Sequence, residues 1–86
     1  MNRGDILDEA KNLTYANRQD TYGSPLANHQ RIAALWSIYL EKEVAPHDVA
    51  LMMALVKIAR LMATPNHLDS AVDGAAYFSI AGELAP

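Results

Sequence analysis

The sequence contains no cysteine, which excludes a disulfide framework, a thiolate metal site and a cysteine nucleophile. It has no surplus of positive charge either: seven basic residues are scattered among ten acidic ones, for a net charge of −3. A protein that grips a nucleic-acid backbone over a long footprint needs a basic stripe, because each neutralised phosphate releases counterions. A small basic pocket is compatible with this balance; a broad basic face is not. Long apolar runs are missing too. The longest, Val49 to Val56, is eight residues, against the ~20 needed to cross a bilayer. Met1-Asn2-Arg3-Gly4-Asp5 leads into a charged amphipathic stretch, not an apolar signal core. The expectation is a soluble cytoplasmic protein with no membrane partner. There is also no internal repeat, no low-complexity tract and no strand-like alternation.

What is present is apolar and helical. The 86 residues are 51% hydrophobic, and a chain of this length predicts one domain spanning residues 1–86. So short a chain hides only roughly 60% of the surface its unfolded form exposes. Without staples, packing against copies of itself is the natural remedy, so a homo-oligomer is expected.

Four helical segments are predicted. The first runs from Asp5 to Asn17, with Ile6, Ala10 and Leu13 in one stripe. Ser24-Pro25 starts the second: a side-chain cap followed by a residue that needs no backbone donor. It continues to Lys42, with Ile32, Leu35, Trp36 and Tyr39 on one face and Leu40 at its border. The third spans Val49 to Ala63, with Pro46 near its first turn, and is apolar almost all round, as befits the most buried element of a bundle. For the fourth, Thr64 is expected to cap and Pro65 to take the first helical position, with the helix reaching Glu83. Short connections then give an all-α, compact antiparallel bundle.

Lys57 and Arg60 are the only charged residues from Val49 to Ala63. Their i, i+3 spacing puts them on one face, and buried like charges must meet anions. Those anions are either protein carboxylates or the phosphates of a ligand. Asp69 and Asp73, one turn apart on the fourth helix with Tyr77 in the same line, can neutralise the pair. Equally, they can chelate a divalent cation, which would in turn hold a phosphate chain. Arg18 offers a planar fork suited to phosphate, and Tyr22 a ring that stacks on a base or anchors the turn at Gly23. Among the dispersed histidines, His29 is the one placed to touch a ligand near Arg18. His47 and His67 lie beside helix starts and read as surface or capping residues. Ser24 has no base at a recognisable spacing, so nucleophilic catalysis is unsupported.

The motifs Arg18-x-x-x-Tyr22-Gly23, Asn28-His29, Ile32-Ala33-x-Leu35-Trp36 and Asp48 resemble a family of small helical proteins from tailed phages and prophages. So do Lys57-x-x-Arg60 and Asp69-x-x-x-Asp73-Gly74-x-x-Tyr77. This resemblance covers residues from about 15 to 80. The family's similarity to domains of phage nucleotide metabolism and modification implies a nucleotide-like ligand and a bacterial host cell. A looser similarity is to the all-helical MazG-like nucleoside triphosphate pyrophosphatases, which hold magnesium with Glu-x-x-Glu on one helix and Glu-x-x-Asp on another. Asp69 and Asp73 could supply half of that set. No Glu-x-x-Glu exists here, and Glu41 and Glu43 do not face the same way on a helix.

The leading expectation is therefore an oligomeric accessory protein that sequesters a nucleotide-derived molecule, which in a phage would blunt host defence signalling. Arg18, Lys57 and Arg60 would take phosphates, and Tyr22 and His29 the base or sugar, with no cofactor required. The alternatives are a magnesium-dependent pyrophosphohydrolase using Asp69 and Asp73, and a protein–protein inhibitor or scaffold in which the charged residues only stabilise the bundle.

Overall fold

The structure is a computed structural model that describes residues 1–17 and 23–86. Helix α1 spans Arg3–Asn12 and starts two residues before the sequence pattern suggested. The reason is a reciprocal cap: the Asp5 amide donates to Asn2 Oδ1 at 2.9 Å, and the Asn2 amide donates to Asp5 Oδ2 at 3.1 Å. Its predicted stripe holds. Ala10 is buried with Val72 and Ala76, and Ile6 and Leu13 pack against them. The single helix expected through Asn17 instead changes pitch: Leu13–Asn17 forms a π-helical segment. Thr14, buried within it, donates its hydroxyl back to the Lys11 carbonyl at 2.9 Å. A side chain competing for a helix carbonyl at this point favours a distorted turn.

Helix α2 spans Pro25–Leu40, with Ser24 as its cap: Ser24 Oγ accepts from the Ala27 amide at 3.2 Å. It ends before Lys42 because Glu41 adopts a left-handed conformation, φ 53°. The amides of Glu41 and Lys42 fold back to the carbonyls of Ile38 and Ser37. Ser37 then ties the following loop down, donating to the Ala33 carbonyl at 2.7 Å and accepting from the Val44 amide at 2.9 Å.

Helix α3 spans Pro46–Ala63, and Asp48 Oδ2 accepts from the Ala45 amide at 3.0 Å at its start. Its C-terminus differs from expectation. Thr64 does not cap a new helix; its amide donates to the Arg60 carbonyl at 2.8 Å and closes α3. The Thr64 carbonyl accepts from the His67 amide at 3.0 Å, so Thr64-Pro65-Asn66-His67 is a turn with proline in its preferred second position. Helix α4 spans Leu68–Leu84, and His67 is its cap, Nδ1 accepting from the Ser70 amide at 3.3 Å and lying 2.7 Å from Ser70 Oγ.

The helices pack in the order α1–α4–α3–α2, with α3 against α4 as the main interface. That interface is made of small residues. Ala50 is buried with Ile80 and Ala81, and Ala54 and Ser70 are almost fully covered. Small side chains let two helix backbones approach closely, so burial here comes from proximity, not from bulk.

Two expectations about faces are corrected. Helix α3 is not buried all round. Its inward side is Val49, Ala50, Ala54 and Lys57, while Leu51, Met52, Leu55, Ile58 and Met62 are exposed. With α2 on one flank and α4 on another, no described element covers its third side. On α2, Leu35 and Tyr39 point outward and the buried pair is His29 and Ala33. Hydrophobicity favoured the larger residues for the inner face, but close packing favoured the small alanine one turn from a hydrogen-bonded histidine.

Candidate functional site

The π-helical segment, the start of α2, the first half of α3 and the second half of α4 enclose a cavity of about 110 Å³. Its apolar walls come from Ile32, Val49 and Met53. Its polar lining comes from Thr14, Asn28, His29 and Tyr77, and Gly23, at φ 80°, is part of the same lining. That backbone angle is one that only glycine adopts cheaply.

Capping and burial orient His29. One turn into α2, its Nδ1 donates to the Pro25 carbonyl at 2.8 Å. Proline at the first helical position has placed that carbonyl, and in the neutral ring the lone pair then sits on Nε2. The ring meets Tyr77 edge-on, with centroids 6.5 Å apart and planes at 62°. Beside the cavity lies a small recess lined by Leu13, Thr14, Asp73, Ala76, Tyr77 and Ile80. Thr14 and Tyr77 border both spaces.

The two cations of α3 part company. Lys57 is buried, at 8% exposure, and its Nζ lies 3.1 Å from Asp73 Oδ2. Arg60 is exposed. Positions i and i+3 differ by 60° around a helix, and that rotation carries Arg60 off the α3–α4 interface. Asp69 and Asp73 differ in burial. Asp69 is exposed in the first turn of α4, where its charge suits the helix dipole. Of the two anion sources open to Lys57, the structure supplies the internal one. A cation shared by Asp69 and Asp73 would have to displace the Lys57 ammonium.

The structure thus brings His29 and Tyr77 together around the cavity and joins Lys57 to Asp73 next to it. It leaves Arg60 and Asp69 at the surface. Arg18 and Tyr22 lie outside the described residues. Sequence reasoning missed Thr14 and passed over Asn28 as a lining group. The signal for Thr14 was available: it lies four residues after Ala10, beside the buried stripe, where a polar side chain needs an explanation.

Residues 5–85 match the family described as "Domain of unknown function (DUF6378)". The "Gene 55 protein" of Mycobacterium phage D29 is 49% identical over 72 residues, covering 84% of this chain and 48% of that protein. The "Gene 55 protein" of Mycobacterium phage L5 is 43% identical over 76 residues, covering 87% and 49%. The chain spans about half the length of the curated relatives it matches. No solved structure matches it.

Proposed function

The chain belongs to this family, with relatives in phages, and on that footing we propose that it binds a nucleotide-like phosphorylated small molecule and encloses one ring of it beside His29 and Tyr77. The cavity carries this reading. It combines apolar walls with a few convergent polar groups, the usual chemistry of a small-molecule site. Asn28 offers a donor and an acceptor to the edge of a base, and the Tyr77 and His29 rings offer stacking or edge contacts.

Its size limits what is enclosed. About 110 Å³ is well below the ~300–1,000 Å³ of pockets that swallow a whole ligand, so the charged part of the molecule stays outside. Lys57 already has Asp73 at 3.1 Å and Arg60 is exposed, so Arg18, five residues before the cavity-lining Gly23 in sequence, is the phosphate ligand of this proposal. A protein of this kind holds its ligand without cutting it, and in a phage it would withhold a nucleotide from host enzymes or receptors.

Isothermal titration against nucleoside mono-, di- and triphosphates, cyclic dinucleotides and ADP-ribose tests this. One class should bind, and Asn28→Ala and Arg18→Ala should each weaken it by ~10-fold, the loss of one good hydrogen-bonded contact. No heat from any of them at high micromolar concentration refutes the reading. Magnesium-dependent turnover that Asp73→Asn abolishes would replace it with hydrolysis.

A further inference from the structure

The uncovered side of α3 carries a regular stripe. Leu51, Leu55, Ile58 and Met62 are all exposed, Leu55 at 62% and Met62 at 80%. Their spacing, four, three and four residues, is that of a helix seam that packs on another helix. Among the residues of α3, the charged ones lie elsewhere: Asp48 at the cap, Lys57 in the interior and Arg60 on another flank. At one end the stripe continues into an open apolar groove formed by Met52 with Trp36, Tyr39 and Leu40 of α2. Among the described residues, Tyr39 is the most exposed of the large apolar ones, at 87%.

We propose that this face binds a second copy of the chain, with the two α3 helices crossing antiparallel about a twofold axis between Leu55 and Ile58. Area and symmetry both support this occupant. The stripe and groove together expose roughly 700 Å² of apolar surface, on the scale of ~150–250 Å² for a large side chain. That exceeds the ~300–600 Å² of the largest patch on an ordinary monomer and approaches the ~800 Å² each partner contributes to a stable interface. The four–three–four spacing also reads the same in both directions. An antiparallel copy therefore sets Leu55 against Ile58 and Leu51 against Met62, twice over, as a twofold interface requires. In this arrangement the Met62 end of one copy meets the Leu51 end of the other, beside the groove. A long, polarizable thioether is well suited to fill an aromatic-lined groove. The absence of charge on the stripe means that bringing two identical faces together incurs no like-charge repulsion. This inference is independent of the ligand reading.

Sedimentation equilibrium should show a concentration-dependent dimer. Leu55→Glu and Ile58→Glu should each weaken it by at least ~30-fold, the effect of losing a central interface residue. Both positions are exposed, so helicity by circular dichroism should stay intact. Phe78→Glu, at an exposed apolar site on α4, should leave the dimer unchanged. Since the chain has no cysteine, crosslinking reads the geometry directly. Mixing Leu55→Cys with Ile58→Cys chains under oxidation should give mainly the mixed disulfide dimer. A wild-type chain that stays monomeric at several hundred micromolar overturns the proposal. So does a dimer that survives both glutamate variants, or one in which Leu55→Cys crosslinks preferentially to itself.

Discussion

Breaking the Lys57–Asp73 pair is the sharpest test of how this bundle tolerates a buried cation. Lys57 is 8% exposed and its ammonium lies 3.1 Å from Asp73 Oδ2, while the aspartate side chain retains 20% exposure. Removing one partner of a fully buried pair costs about 3–5 kcal/mol, because the other charge is left uncompensated. Here the lysine stem is flexible enough to carry its charge toward water, so we predict ~2–3 kcal/mol for Asp73→Asn. Against a total stability of roughly 4–13 kcal/mol for a chain this long, that is a large loss. It should lower the melting temperature by ~10–20 °C. Lys57→Met should cost less, about 1–2 kcal/mol, since Asp73 is nearer to solvent. Combining the two removes both charges, so the double variant should recover ~1.5 kcal/mol relative to the sum of the singles. Thermal and urea unfolding, followed at 222 nm, gives the four corners of the cycle. The coupling should persist in 1 M salt, where exposed pairs are screened. Single-variant losses that add to within ~0.5 kcal/mol would show that the pair is incidental to the packing.

Three further outcomes are expected from the same unfolding assay. Glu41→Gly should stabilise the chain by ~0.5–1 kcal/mol, since φ 53° strains any residue with a Cβ; unchanged stability would remove that strain from the account. Ser37→Ala should cost ~1–2 kcal/mol by stranding the Val44 amide, which donates to Ser37 Oγ at 2.9 Å, and hydrogen exchange at Val44 should speed up with it. Gly82→Ala should stabilise by ~0.5–1 kcal/mol, because a Cβ there meets open space and a helix-interior glycine carries extra unfolded-chain entropy. A loss of stability instead would mean that the position is occupied by something absent from the single chain.

The architecture was legible where one residue type decides the local geometry. Ser24-Pro25 could be little other than a helix start, and Ile6, Ala10 and Leu13 could only form one face. What stayed illegible depended on choices between elements. Thr64 looked like a cap because threonine before proline reads that way, yet its amide was needed to finish α3 and the role passed to His67. Leu35 and Tyr39 looked like core because they are large. The actual inner face of α2 is His29 and Ala33, a choice that depends on the neighbouring helices and that no single-helix pattern contains. The candidate site divides similarly. Lys57 and Asp73 each stood out as charges needing partners, whereas the meeting of His29 with Tyr77 required knowing that the start of α2 lies over the middle of α4.

Adjacent residues on α3 connect the two proposals physically. Met53 lines the cavity and Met52 lines the groove that the second copy would fill. They share a stretch of helix backbone, so a shift of that backbone at one side chain is felt at the other. A partner closing the groove would hold α3 against α2, and the cavity walls Ile32 and Val49 belong to those same two helices. The proposed dimerisation would therefore pre-order the cavity, and a ligand that enters an ordered site pays less entropy on binding. Linkage makes the relation reciprocal: if the dimer tightens each of its two sites by a given factor, filling both sites tightens the dimer by the square of that factor. Ligand affinity measured for the dimer and for a Leu55→Glu monomer gives that factor directly. Identical affinities would show that the two faces of α3 act independently, with Met52 and Met53 neighbours in sequence and nothing more.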